Sequence, residues 1–125
     1  MKRAALPVAL TLALVLATIP HAIEDFRFGE FARFGISNVF AANALTTVYV
    51  VQISGMVLAW RGSSGGYWLM AVGGLVWCVG ASVVHASELV ASVPYRNGVE
   101  SKALIVVIIV LGAAVSIVSA TRVRR

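Results

Sequence analysis

Charge is scarce in this chain. Charged residues make up 12% of it and hydrophobic ones 60%, whereas soluble globular domains carry about 25% charge. A globule this small cannot cover itself against water with so few charges, so lipid is the expected main solvent. Cysteine is nearly absent. Cys78 stands alone between Trp77 and Val79, which excludes an intrachain disulfide and a cysteine zinc site and fits a small buried hydrophobe. No ionisable residue falls at the middle of an apolar run, so a proton pump or charge-coupled transporter lacks its usual marker. Nucleophile elbows, phosphate-binding glycine loops and dinucleotide fingerprints are missing too. The Arg61–Gly66 segment is glycine-rich, but it is short and follows an apolar helix. The formal charge of +5 is carried at chain ends and in connectors, with no basic stripe among aromatics. That distribution excludes nucleic acid as a partner and suits loops at an anionic membrane surface.

What the chain does have is apolar runs. A single domain over residues 1–125 is expected, with membrane spans at about 4–23, 39–60, 67–90 and 103–120. The fold class is all-α integral membrane: a four-helix antiparallel bundle, with a short interfacial segment between its first and second helices. The first run has two readings. Its basic start and its Thr18-Ile-Pro-His-Ala22 end resemble a secretory signal peptide cut after Ala22. Pro20, however, stands where a cleavage site wants a small residue, and the run reaches the ~20 residues a span needs. A retained span is favoured. Cleavage would remove His21.

Pro20 is expected to end or kink that helix near Ile19. Beyond it, Phe26, Phe28, Phe31 and Phe34 alternate with Arg27, Glu30 and Arg33, the pattern of a segment lying in the interface with its rings in lipid. In the second span Asn43, Thr46, Thr47 and Gln52 are expected to face other helices and bond across to them. Tyr67 and Trp68 fit an aromatic belt. Pro94 and Asn97-Gly98 mark the last loop.

Four spans bring both termini to one side. Lys2, Arg3, Arg61, Arg122, Arg124 and Arg125 fall there, against Arg27, Arg33, Arg96 and Lys102 on the other. The positive-inside bias therefore predicts a multi-pass plasma (inner) membrane protein with cytoplasmic termini, and both histidines and all five acids outside. Gly66, Gly73 and Gly80 recur every seven residues, a seam for close backbone approach by another helix, another membrane subunit or a second copy. Gly74, Cys78, Ala81, His85 and Glu88 form the neighbouring stripe, and Gly112, Ala113 and Ser116 a flat face on the last helix.

The chemistry-bearing residues are the histidines, and there are only two. His21 is followed at three residues by Glu24, and His85 at three residues by Glu88. On a helix such pairs share one face, about 5–6 Å apart, so each can aim an imidazole and a carboxylate at one point. His21, Glu24, His85 and Glu88, with Asp25 as an additional ligand or base, compose a candidate outward-facing transition-metal site. Mixed nitrogen and oxygen donors suit iron, manganese or zinc. Di-iron bundles use the reverse Glu-x-x-His order and more carboxylates, so the likeness is one of principle. A second reading is b-type haem between the two histidines, with Gly74, Cys78 and Ala81 making room and Arg27 and Arg96 meeting the propionates. The plain alternative leaves each histidine at a headgroup boundary, satisfied by its own Glu. The chain is then a structural subunit or assembly factor of a larger membrane complex. The pattern names ligands without naming a reaction.

Overall fold

The computed structural model describes residues 2–92 and 95–123. Pro94, Arg124 and Arg125, which entered the loop and topology readings, lie outside them. Every regular element among the described residues is a helix: α1 (Lys2–Phe28), α2 (Glu30–Arg33), α3 (Asn38–Trp60), α4 (Ser64–Val84), α5 (Ala86–Val90) and α6 (Val99–Val123). Four of them, α1, α3, α4 and α6, are long and apolar enough to cross a membrane.

The element bounds differ from expectation at two informative places. Pro20 does not end the first helix; α1 runs through it to Phe28. A proline inside a helix costs about 3 kcal/mol. The turns that follow are held by tertiary contacts instead, since His21, Ala22 and Asp25 are all buried. Gly29, in the left-handed region at φ 69°, makes the break that Pro20 does not. The third run is likewise not one helix over 67–90. His85 (φ −108°, ψ 13°) interrupts it between α4 and α5, which turns the imidazole inward at the break.

Packing follows the small residues. α4 packs mainly on α6 and α3, and α1 on α6 and α3. Gly74 and Gly112 meet back to back: a Cβ on Gly74 would stand 2.6 Å from the Gly112 carbonyl oxygen, and one on Gly112 2.7 Å from that of Gly74. Only glycine allows backbones this close. Gly66 and Gly73 of the seven-residue seam face α3, against Gly55 and Gln52, whereas nothing lies within 4 Å of a Cβ built on Gly80. Leu14, Met70, Ile105, Ile108 and Val115 fill the core. Among the described residues, Gln52 is the one of the four expected polar residues of α3 that bonds across helices, accepting from Trp77 Nε1 at 3.1 Å. Asn43, Thr46 and Thr47 are exposed, and the two threonines bond back to the carbonyls of Ala42 and Asn43 on their own helix. Hydroxyl back-bonding of that kind satisfies a threonine without a partner helix.

Candidate metal centre

The break after Phe28 and the break at His85 bring two chain segments to the same end of the molecule, where Tyr95 and Arg96, ahead of α6, close over them. His21 Nε2 stands 3.1 Å from His85 Nε2. Asp25, one turn beyond His21 on the same face of α1, brings Oδ2 to 3.6 Å from His21 Nε2. His21, Asp25 and His85 are 3%, 8% and 2% exposed. These three residues could hold a metal ion. Two ligand atoms about 2.0–2.1 Å from an ion lie about 3.0 Å apart at octahedral angles and about 3.3 Å apart at tetrahedral ones, and the nitrogen pair falls in that interval. A nitrogen pair at 3.1 Å also needs one ring to donate and the other to accept, so the two cannot both be protonated at these atoms.

The surround is charged and closed. Arg96 donates to Asp25 Oδ1 at 2.6 Å and to Glu30 Oε2 at 2.8 Å. Its guanidinium lies over the Tyr95 ring, 4.7 Å from the centroid. Burial works against the charge of Arg96, but the hydrogen bonds to Asp25 and Glu30 outweigh it and raise its pKa above the ordinary arginine value. Arg96 also carries a positive φ of 44°, a left-handed conformation that costs a non-glycine residue about 1–3 kcal/mol and persists only where the surroundings fix it. The two ion pairs supply that fixing. Tyr95 places its hydroxyl 3.2 Å from His85 Nδ1. Burial pushes the Tyr95 phenol up, so the hydroxyl keeps its proton and orients the ring that presents Nε2 to His21. Arg33 bridges Glu30 at 2.9 Å and Glu88 at 3.0 Å. Asp25, Glu30 and Glu88 against Arg33 and Arg96 leave one formal negative charge in the ion-paired network, on the side the two imidazoles face.

The five residues singled out in the sequence therefore divide. His21, Asp25 and His85 converge. Glu88 falls in a second group with Glu30 and His85, and Glu24 turns away to accept from Asn97 Nδ2 at 2.7 Å and Ser101 Oγ at 3.0 Å. The i,i+4 partner of His21, not the i,i+3 one, shares its face. Glu30, Tyr95 and Arg96 belong to the cluster and were not among the five. For Glu30 the available signal was Arg33 three residues on; for Tyr95 there was none. The haem geometry differs as well. An iron between two axial histidines needs their nitrogens roughly 4 Å apart, two metal–nitrogen bonds end to end, and Gly74 faces the backbone of α6 rather than a slot.

A cavity of about 480 Å³ adjoins the cluster. His21, Asp25, Glu30 and His85 form its polar end. Leu45, Val48, Val76, Trp77, Val83 and Val84 line the apolar remainder, with Gly80 opening the wall. Such a chamber, apolar but for a few convergent polar groups, is the usual form of a small-molecule site. Comparison of the chain with protein-family models, with curated proteins and with solved structures returns no match.

Proposed function

We propose that this chain is a four-span inner-membrane protein, an antiparallel bundle with its termini in the cytoplasm, that binds one divalent transition-metal ion through His21, His85 and Asp25 at the outer end. The observation that carries the reading is the buried convergence of two imidazole nitrogens and a carboxylate oxygen from positions 64 residues apart. Two histidines and one carboxylate with open positions suit ferrous iron and also serve zinc. Glu30 and Glu88 stand as the outer carboxylates of the site, and Glu24 as a brace to the α6 start. These residues form the polar end of an otherwise apolar cavity, so a ligand reaching an ion held there would be a lipid-soluble one.

A second reading rests on Arg96. Its guanidinium already neutralises Asp25 and Glu30, and the cluster without metal is a polar clasp that ties α1 to the α5–α6 connector in a structural subunit. Metal content separates the two. The full-length protein and its variants would be purified in detergent without chelator, and metal per chain read by elemental analysis. His21→Ala, His85→Ala and Asp25→Asn should each lose most of the metal. The double histidine variant should be little worse than either single one, because ligands of one ion act as a unit. Glu24→Gln should keep its metal. Full occupancy in His21→Ala, or a wild type that neither carries nor takes up metal, would sink the metal reading in favour of the clasp.

A further inference from the structure

The end of the molecule opposite the histidines holds a larger cavity, about 700 Å³, and its walls are basic. Arg3 from the start of α1, Arg61 after α3 and Arg122 from the end of α6 line it, with Trp60, Ser64 and Tyr67 between them. Among the described residues, no acidic side chain lines this chamber. Four of the five acidic side chains, Glu24, Asp25, Glu30 and Glu88, are engaged in the opposite cluster, and the fifth, Glu100, is at the start of α6, the helix end away from Arg122. Among the described residues none of the three arginines enters an ion pair. The Nε of Arg122 is buried without any hydrogen-bond partner. A buried guanidinium donor left unpaired is costly; Arg3 and Arg61 are exposed, so water screens part of the repulsion among the three cations, and an anion between them relieves the rest.

Part of this charge has a local use. Arg122 sits in the last turn of α6, where a cation complements the helix dipole. That role asks for one cation per helix end at the surface. It does not ask for three around a chamber, nor for a donor turned away from water. The N-terminus of α4 at Ser64 opens into the same space, adding a positive end of a 21-residue helix. Guanidinium forks match phosphate oxygens two at a time, and Trp60 and Tyr67 bring the amphipathic rings that sit at headgroup level.

We infer that this chamber is a phosphate-binding site, built to take the phosphate of an anionic lipid headgroup or of a free phosphate compound from the side bearing the termini. Basic pockets between membrane helices on the cytoplasmic side bind such headgroups. The site is separate from the histidine cluster and does not depend on it.

The test uses the full-length protein in nanodiscs of phosphatidylcholine with added phosphatidylglycerol, and reads by native mass spectrometry which lipid stays bound. Wild type should retain phosphatidylglycerol over phosphatidylcholine. Arg3→Gln, Arg61→Gln and Arg122→Gln should each weaken that preference about five-fold, the effect of one basic residue near an anionic surface, and the triple variant should abolish it. Arg27→Gln, a basic change at the other end, should leave it intact. Helix content by circular dichroism checks each variant, and Arg122→Lys, which keeps the charge without the fork, should fall between wild type and Arg122→Gln. Inorganic phosphate is then added as competitor: displacement of the lipid assigns a site open to free phosphate, and no displacement assigns a lipid headgroup site. Two results would overturn the inference. One is a wild type that prefers neither lipid and binds no phosphate. The other is a preference that falls as much with Arg27→Gln as with Arg122→Gln, which would mark general surface charge.

Discussion

Replacing Gly112 by alanine should separate α6 from α4 and weaken the whole fold, although alanine is the better helix former. The new Cβ would lie 2.7 Å from the Gly74 carbonyl oxygen and 2.8 Å from the Cys78 amide nitrogen. Both are backbone atoms of α4, so no rotamer change relieves them. Restoring an ordinary contact of 3.4 Å moves α6 out by about 0.7 Å. A gap of that size forfeits a quarter to a half of each dispersion contact across the interface, and Ile105, Ile108 and Val115 of α6 are all fully buried on this helix. Overpacking of this kind costs about 1–3 kcal/mol, and helix propensity returns about 1 kcal/mol, so the expected net loss is about 0–2 kcal/mol. Gly80→Ala is the matched control. Nothing lies within 4 Å of its Cβ, so it should gain up to about 1 kcal/mol from propensity alone. Because Gly74→Ala strains the same interface, the Gly74→Ala/Gly112→Ala double variant should lose less than the two single losses combined. The assay is equilibrium unfolding in mixed micelles against rising denaturing detergent, followed by tryptophan fluorescence and circular dichroism. Equal stability of Gly112→Ala and Gly80→Ala would refute the argument that backbone contact sets the α4–α6 distance.

Two further outcomes are expected. Tyr95→Phe removes the hydroxyl that orients His85 and should lower metal affinity 10–100-fold, the usual effect of losing a group behind a ligand; competition with a chromogenic chelator measures it, and unchanged affinity would leave Tyr95 without a role at the site. In a Cys78→Ala background, cysteines at the exposed positions Ser63 and Ser92 should differ in intact cells toward a membrane-impermeant thiol reagent. Ser92→Cys should label and Ser63→Cys should not, and the reverse would put the histidine cluster in the cytoplasm.

The four long helices were legible because an apolar run of some twenty residues has few other uses, and α3 matches its run from Asn38 to Trp60. Where local signals competed with tertiary contacts, the sequence misled. Pro20 reads as a stop or a kink, but burial of the next turn keeps α1 going. The stripe through Gly74, Cys78, Ala81 and His85 reads as one helix face, but the chain breaks at His85. The meeting of the two histidines could be anticipated by counting spans, since an even number returns the chain to the same side. Which carboxylate accompanies them could not. Glu24 and Asp25 are adjacent, and the choice between them is made by the rotation of α1 against α6, where Ser101 and Asn97 capture Glu24. Arg96 was out of reach for the same reason: its pairing with Asp25 spans 71 residues and depends on a left-handed loop residue that no local rule would assign to arginine.

That pairing bears on how the protein is made. A chain leaving the ribosome exposes His21 and Asp25 long before Arg96 exists, and α6 is made last. Until then Asp25 and Glu30 have no guanidinium between them, and His85 has no Tyr95 behind it. The cluster can therefore close only after Tyr95 and Arg96, just ahead of the final helix, have been made. A nascent chain stalled after α4 would carry both imidazoles and still lack the shell that fixes them. Completion of the chain is thereby written into the histidine end of the molecule, where a protease or a chaperone meeting loose acidic residues would find an unfinished chain.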